Sequence, residues 1–188
     1  MIFKLQSLNF SRWHLWNERG TLLEGYEKDE DLFGVYAIAL SRSTKPGDPM
    51  NWQKVRYIGM ANTSGGLARR WTQFERAFLG KRGHSGGNSI AGRNYEIVRT
   101  KEGFRIRGLK LFVAACVVPV PKDCDRSYRY RKQGEICYLE HEAFAQFVEA
   151  RPRLKAPMFN KGGTGKGSIE AEMTIKTRVP DRLHWVPG

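Results

Sequence analysis

Between residues 32 and 40 the side chains alternate, with Tyr36, Ile38 and Leu40 on one side and Val35, Ala37 and Ala39 on the other. That period predicts a largely buried strand. Residues 41–51 are rich in Ser, Pro, Gly and Asp and read as a loop, after which 55–59 returns as a second strand. The resulting hairpin brings Tyr36 and Tyr57 onto adjacent strands. Leu67, Trp71, Phe74 and Phe78 then recur at helical spacing and predict a helix over 67–79, with Asn62, Thr63 and Ser64 ahead of it as cap and turn residues.

The stretch 80–93 is Gly-rich and basic around His84 and reads as a flexible connection. Residues 110–120, with Phe112, Val113, Val117 and Val118, predict a third strand bounded by Pro119 and Pro121. Ile136, Leu139, Ala143, Phe144 and Phe147 form the stripe of a second helix over 134–150, which Arg151-Pro152 stops. The order β-β-α-β-α predicts an α+β fold, a small antiparallel three-stranded sheet flanked by helices. It divides the chain into an N-terminal extension (1–32), a central domain (33–163) and a C-terminal basic tail (164–188).

Charge changes this picture. The 188 residues carry 32 Lys and Arg against 19 Asp and Glu, a formal net charge of +13. Such an excess points to a polyanionic partner, nucleic acid first. It is uneven: residues 1–33 hold four basic and six acidic side chains, including Glu27, Asp29, Glu30 and Asp31, so the basic surface lies beyond them. The three cysteines form no C-x-x-C pair and are odd in number, which argues for a reducing, intracellular (cytoplasmic) setting. A zinc site on Cys137 and His141, four apart on one helix, is the minor alternative to idle thiols. No run approaches the ~20 apolar residues of a membrane span.

The chemistry-bearing residues are ordered. Gly34-Val35-Tyr36 lies on the first strand, Tyr57-Ile58-Gly59 on the second, Arg70 on the first helix, Glu140 on the second, and Asn160 follows. Helix phase sorts the neighbours at about 100° per residue. Arg70 falls about 70° from the centre of its apolar face, while Arg69 is roughly opposite that face. Glu140 falls about 30° from the centre of the second stripe, whereas Glu135 and Glu142 lie more than ~100° away. A carboxylate on an apolar face is costly unless paired or bound to a cation, so Glu140 is the candidate metal ligand.

These residues in this order resemble the GIY-YIG nuclease family over about residues 33–163. The Leu67-Ala68-Arg69-Arg70-Trp71 context matches the family's arginine at Arg70. The resemblance implies a metal-dependent DNA endonuclease using one Mg²⁺, with Mn²⁺ able to substitute, held by Glu140. Arg70 would supply a planar donor fork to the scissile phosphate. Tyr36 and Tyr57 compete for the activation of water, with Tyr36 favoured. His84 would assist proton transfer or contact phosphate, and Asn160 would brace the site. Two departures stand out: Met60 occupies the position where repair-type members carry Lys, and Asn160 follows Glu140 at a wider interval than is typical.

Further DNA contacts are assigned to Arg126, Arg129, Arg131 and Lys132, interleaved with Tyr128 and Tyr130, and to Arg69, Arg105 and Arg107. Lys161 and Lys166 flank a Gly-rich stretch that lacks the Ser or Thr of a P-loop, because Gly167 follows Gly165-Lys166. Backbone contacts to DNA suit it better. The length beyond the motif-bearing core favours a site-specific, restriction-type enzyme acting as a homodimer on duplex DNA. A structure-selective, mobile-element or phage nuclease and a catalytically silent nucleic-acid-binding module are the alternatives.

Overall fold

The computed structural model of the chain describes residues 7–91 and 96–160. In order, these form β1 (His14–Leu15), β2 (Glu30–Ser41), β3 (Val55–Ala61), α1 (Gly66–Phe78) and α2 (Ser85–Ala91). After them come β4 (Ile97–Thr100), β5 (Gly103–Ile106), β6 (Leu109–Pro121) and α3 (Arg126–Ala150). The class is α+β with an antiparallel sheet in the order β3-β2-β6-β5-β4, β1 pairing with β6.

The sheet is therefore larger than the three strands the hydrophobic pattern predicts. The hairpin of β4 and β5 extends it, and its apolar contacts are remote in sequence: Phe104 packs on Phe78 at 5.3 Å between ring centroids. Four-residue strands rich in Arg and Thr carry too weak an alternation to be read alone. A two-residue turn, Arg107-Gly108, joins β5 to β6 with φ of +52° and +73° between the paired Ile106 and Leu109. Positive φ at both positions is the type I′ geometry that suits the twist of a hairpin.

β2 lies between β3 and β6 and is covered on both faces, as its alternation requires. Val35, Ala37 and Ala39 pack with the Ile136, Leu139, Ala143 and Phe147 stripe of α3. Tyr36 and Ile38 pack on the other face with Leu67, Trp71 and Phe74 of α1. Residues 7–32 contribute to the same core, because Trp13 and Trp16 are fully buried, one in each of these two clusters.

Two glycines hold elements close. A Cβ at Gly34 would lie 2.2 Å from the Cys116 carbonyl oxygen across the β2–β6 pair, and one at Gly66 would lie 2.2 Å from that of Leu32. Only glycine lets β6 and the start of α1 approach β2 this far. Asp31, 5% exposed, bolts the same corner: it accepts from the Gly65 amide at 3.1 Å and from Arg129 Nη1 at 2.7 Å.

α3 starts two turns earlier than its apolar stripe predicts. Asp125 caps it by accepting from the Tyr128 amide at 2.8 Å, so the basic stretch from Arg126 is helical. Gly134, which reads as a boundary, sits inside the helix with nothing within 4 Å of a Cβ there. Among the described residues no helix is long and apolar enough to cross a membrane.

Candidate active site

β3 is an edge strand, and residues from the helices on both faces of the sheet line a pocket beside it. This pocket, of about 360 Å³, is lined by Tyr57, Gly59 and Met60 of β3, Arg70 of α1, His84 before α2, Glu140 of α3, and Asn160. The sequence separates these residues by up to about a hundred positions, and the sheet edge brings them together. Tyr36 is the exception: it is wholly buried behind Tyr57, with 6.0 Å between ring centroids, and does not line the pocket.

Each strand residue is placed by packing. A Cβ at Gly59 would lie 2.7 Å from Tyr57 Cε1 and 2.8 Å from the Tyr36 hydroxyl, so glycine makes room for both rings. The Tyr36 hydroxyl is buried without a hydrogen bond of acceptable geometry, although the Tyr57 hydroxyl is its polar neighbour. Burial pushes Tyr36 well above the usual tyrosine value, and burial pushes Tyr57 up to about 12. In both, Glu140 adds to the rise and Arg70 opposes it, so the four groups share one electrostatic environment.

The stretch around His84 is packed rather than flexible. Its glycines allow contact: a Cβ at Gly86 would lie 2.5 Å from the Tyr57 hydroxyl, and one at Gly87 2.7 Å from the Ala77 Cβ. α2 thereby covers Tyr57 and α1 at once. His84 Nδ1 accepts from the Gly86 amide at 3.1 Å, and the ring stacks on Phe74 at 6.2 Å. Burial first, then Arg70, lowers its pKa to about 4. The neutral imidazole assigned by this bond carries its proton on Nε2 and is a donor.

Glu140 and Arg70 face the pocket from helices on opposite sides of the sheet. Among the described residues neither makes a hydrogen bond or an ion pair, although burial, partly offset by Arg70, pushes Glu140 up to about 7. The neighbouring acids are engaged elsewhere: Glu142 accepts from Gln146 at 2.8 Å and Glu135 pairs with Lys132 at 2.8 Å. No group of three or more His, Cys, Asp or Glu residues gathers for a metal among the described residues. A cation here would have Glu140 as its protein ligand.

Asn160 closes the pocket on the strand edge. Its Oδ1 accepts from the Ile58 amide at 2.9 Å and its Nδ2 donates to the Ile58 carbonyl at 2.7 Å. Phe159 donates its amide to the Arg56 carbonyl at 2.9 Å, so the segment lies along β3.

The basic residues assigned to DNA divide. Arg129 is committed to the interior, bonded to Asp31 and to the carbonyls of Pro121 and Lys122 at 3.1 Å each. Lys132 pairs with Glu135, and Arg105 with Glu102 at 3.2 Å. Arg69 is exposed and bonds the Ser64 carbonyl, Arg126 reaches the Tyr130 hydroxyl at 3.0 Å, and Arg131 reaches Ser127 at 3.2 Å. Arg107 is exposed in its turn, whereas Lys161 and Lys166 lie outside the described residues. Reading the sequence missed the Gly86 backbone, Ser89 and Phe144 as pocket walls, since nothing local marks them. No protein-family model matches the chain, and no curated protein or solved structure matches it either.

Proposed function

We propose that the protein is a metal-dependent endonuclease that hydrolyses phosphodiester bonds in DNA, of the GIY-YIG type its two tripeptides resemble. The supporting observation is that Arg70 and Glu140 line one pocket without pairing. An internal ion pair would neutralise both groups. Held apart, they keep a cation position beside the carboxylate and an anion position beside the guanidinium, the two charges of a metal-bound phosphodiester.

The residues present fit the ion. Glu140 is a half-buried carboxylate without a partner among the described residues, whose raised pKa records the cost of its charge. A single carboxylate suits Mg²⁺ or Mn²⁺, which keep several waters and take phosphate oxygens as further ligands. When bound, the ion supplies Lewis-acid charge at the phosphate and acidifies water.

The chain supplies the rest. Arg70 offers parallel N–H donors to phosphate oxygens. Tyr57 presents its hydroxyl to the pocket and would orient the attacking water. His84 presents Nε2–H to a developing negative charge, consistent with its Nδ1 being occupied by Gly86. Asn160 holds the β3 backbone, on which Tyr57 and Gly59 depend.

The finer reading is a site-specific, restriction-type enzyme acting as a dimer on duplex DNA, motivated by the hairpin of β4 and β5 and the N-terminal segment added around the motif-bearing core. Supercoiled plasmid incubated with Mg²⁺ or Mn²⁺ tests both levels. Wild type is expected to cleave and Glu140→Gln to lose about 10²-fold or more. Equal cleavage by both overturns the site, and DNA binding without cleavage by either makes the protein a binding module. Discrete fragments support site specificity; a smear removes it.

A further inference from the structure

Beside the pocket, and sharing Phe159 as a wall with it, lies a second groove of about 290 Å³. Three arginines line it: Arg42 after β2, Arg56 at the start of β3 and Arg107 in the β5–β6 turn. No acidic residue among the described residues does. The three come from separate parts of the chain and meet only in the fold. Arg42 Nη2 stands 3.9 Å from the position of a Cβ on Gly108, so it reaches the turn that carries Arg107.

Two of the three are held in ways that folding alone does not favour. Arg107 is the one non-glycine with positive φ among the described residues, at +52° in a turn where Asn, Asp or Gly is at ease. Arg56 is half-buried, uses Nη1 on the Gln53 and Val55 carbonyls, and has its pKa lowered by burial and by nearby Arg151. Arg42 has no hydrogen bond or ion pair among the described residues. Three guanidinium groups along one groove fit an anion with several oxygens.

We propose that the Arg42–Arg56–Arg107 groove is a phosphate subsite that takes backbone phosphates of the bound nucleic acid next to the phosphodiester at Arg70. This rests on the nuclease reading above. The two grooves share Phe159 as a wall, so a strand whose reacting phosphate sits at Arg70 would carry its neighbours past Arg56. The contact is to phosphate and reads no sequence.

Binding of a fluorescent 16-bp duplex, measured by anisotropy in EDTA over a range of salt, tests it with Arg42→Ala and Arg107→Gly. Glycine at 107 relieves the positive φ, so that variant is expected to melt higher than wild type while binding about 5- to 10-fold more weakly. Each variant is expected to lower the slope of log affinity against log salt by about one. Weaker binding by Arg107→Gly together with a higher melting temperature excludes damage to the fold as the cause. If wild type binds and both variants keep its affinity and slope, the subsite is overturned and the nuclease reading stands. If wild type binds no DNA, both fall.

Discussion

The carboxamide of Asn160 pairs with both backbone groups of Ile58, accepting from the amide at 2.9 Å and donating to the carbonyl at 2.7 Å. Together with the Phe159 amide on the Arg56 carbonyl, it covers the β3 edge with a segment 102 residues away in sequence from Ile58. Asn160→Asp replaces the donor with an anionic oxygen facing a carbonyl oxygen. It is expected to cost about 1–3 kcal/mol in urea unfolding and to reduce cleavage, because the β3 edge carries Tyr57. Unchanged stability would show that the edge does not depend on this bond.

The two tyrosines are expected to separate by mutation. Tyr57 lines the pocket and Tyr36 does not, so Tyr57→Phe is expected to lower cleavage about 10²-fold with folding kept to within about 1 kcal/mol. Tyr36→Phe removes a buried hydroxyl that lacks a hydrogen bond and is expected to leave stability unchanged or raise it by up to about 1 kcal/mol. Plasmid cleavage and thermal melts on both variants check the order. A larger activity loss at Tyr36 would reverse the assignment.

His84 makes the fold acid-sensitive in a defined window. Its pKa falls from 6.5 to about 4 in the folded chain, so the folded state binds fewer protons there than the unfolded state. The stability this contributes is complete above pH 6.5 and is lost as pH falls towards 4. Allowing for partial solvent screening, the expected loss is about 1–2 kcal/mol. His84→Asn keeps an acceptor for the Gly86 amide but does not titrate. Urea midpoints at pH 7.5 and 4.5 are expected to fall less for the variant; an equal fall excludes His84 as the source.

Arg129 and Arg126 share a basic stretch and differ in what they hold. Arg129→Ala strands the buried Asp31 carboxylate and is expected to cost about 2–3 kcal/mol while leaving the salt dependence of DNA binding unchanged. Arg126→Ala at the exposed helix start is expected to change stability by less than about 0.5 kcal/mol and to lower the salt slope by about one. Denaturation and binding titrations on the two variants distinguish a structural arginine from a phosphate contact.

How far the sequence could be read follows from the range of each interaction. The alternation around Tyr36 and the spacing of Leu67, Trp71, Phe74 and Phe78 are local, and the core clusters follow them. Helix phase likewise placed Arg70 and Glu140 towards the sheet, where both line the pocket. Gly86 and Gly87 misled, because glycine reads as freedom in a sequence yet serves here as close contact with Tyr57 and Ala77. The strands β4 and β5 escaped notice because Phe104 finds its partner Phe78 26 positions away in the chain.

By itself the sequence determined the alternating and helical periods, and through them the α+β class and the faces on which Tyr36, Arg70 and Glu140 lie. Period is a property of the local backbone, so it survives without knowledge of neighbours. Only the tertiary structure decided which charges meet. It bound Arg129 to Asp31, set Tyr57 rather than Tyr36 at the pocket, kept Arg70 and Glu140 in one cavity without pairing, and gathered Arg42, Arg56 and Arg107. Burial and charge depend on distances through space, which no spacing along the chain encodes.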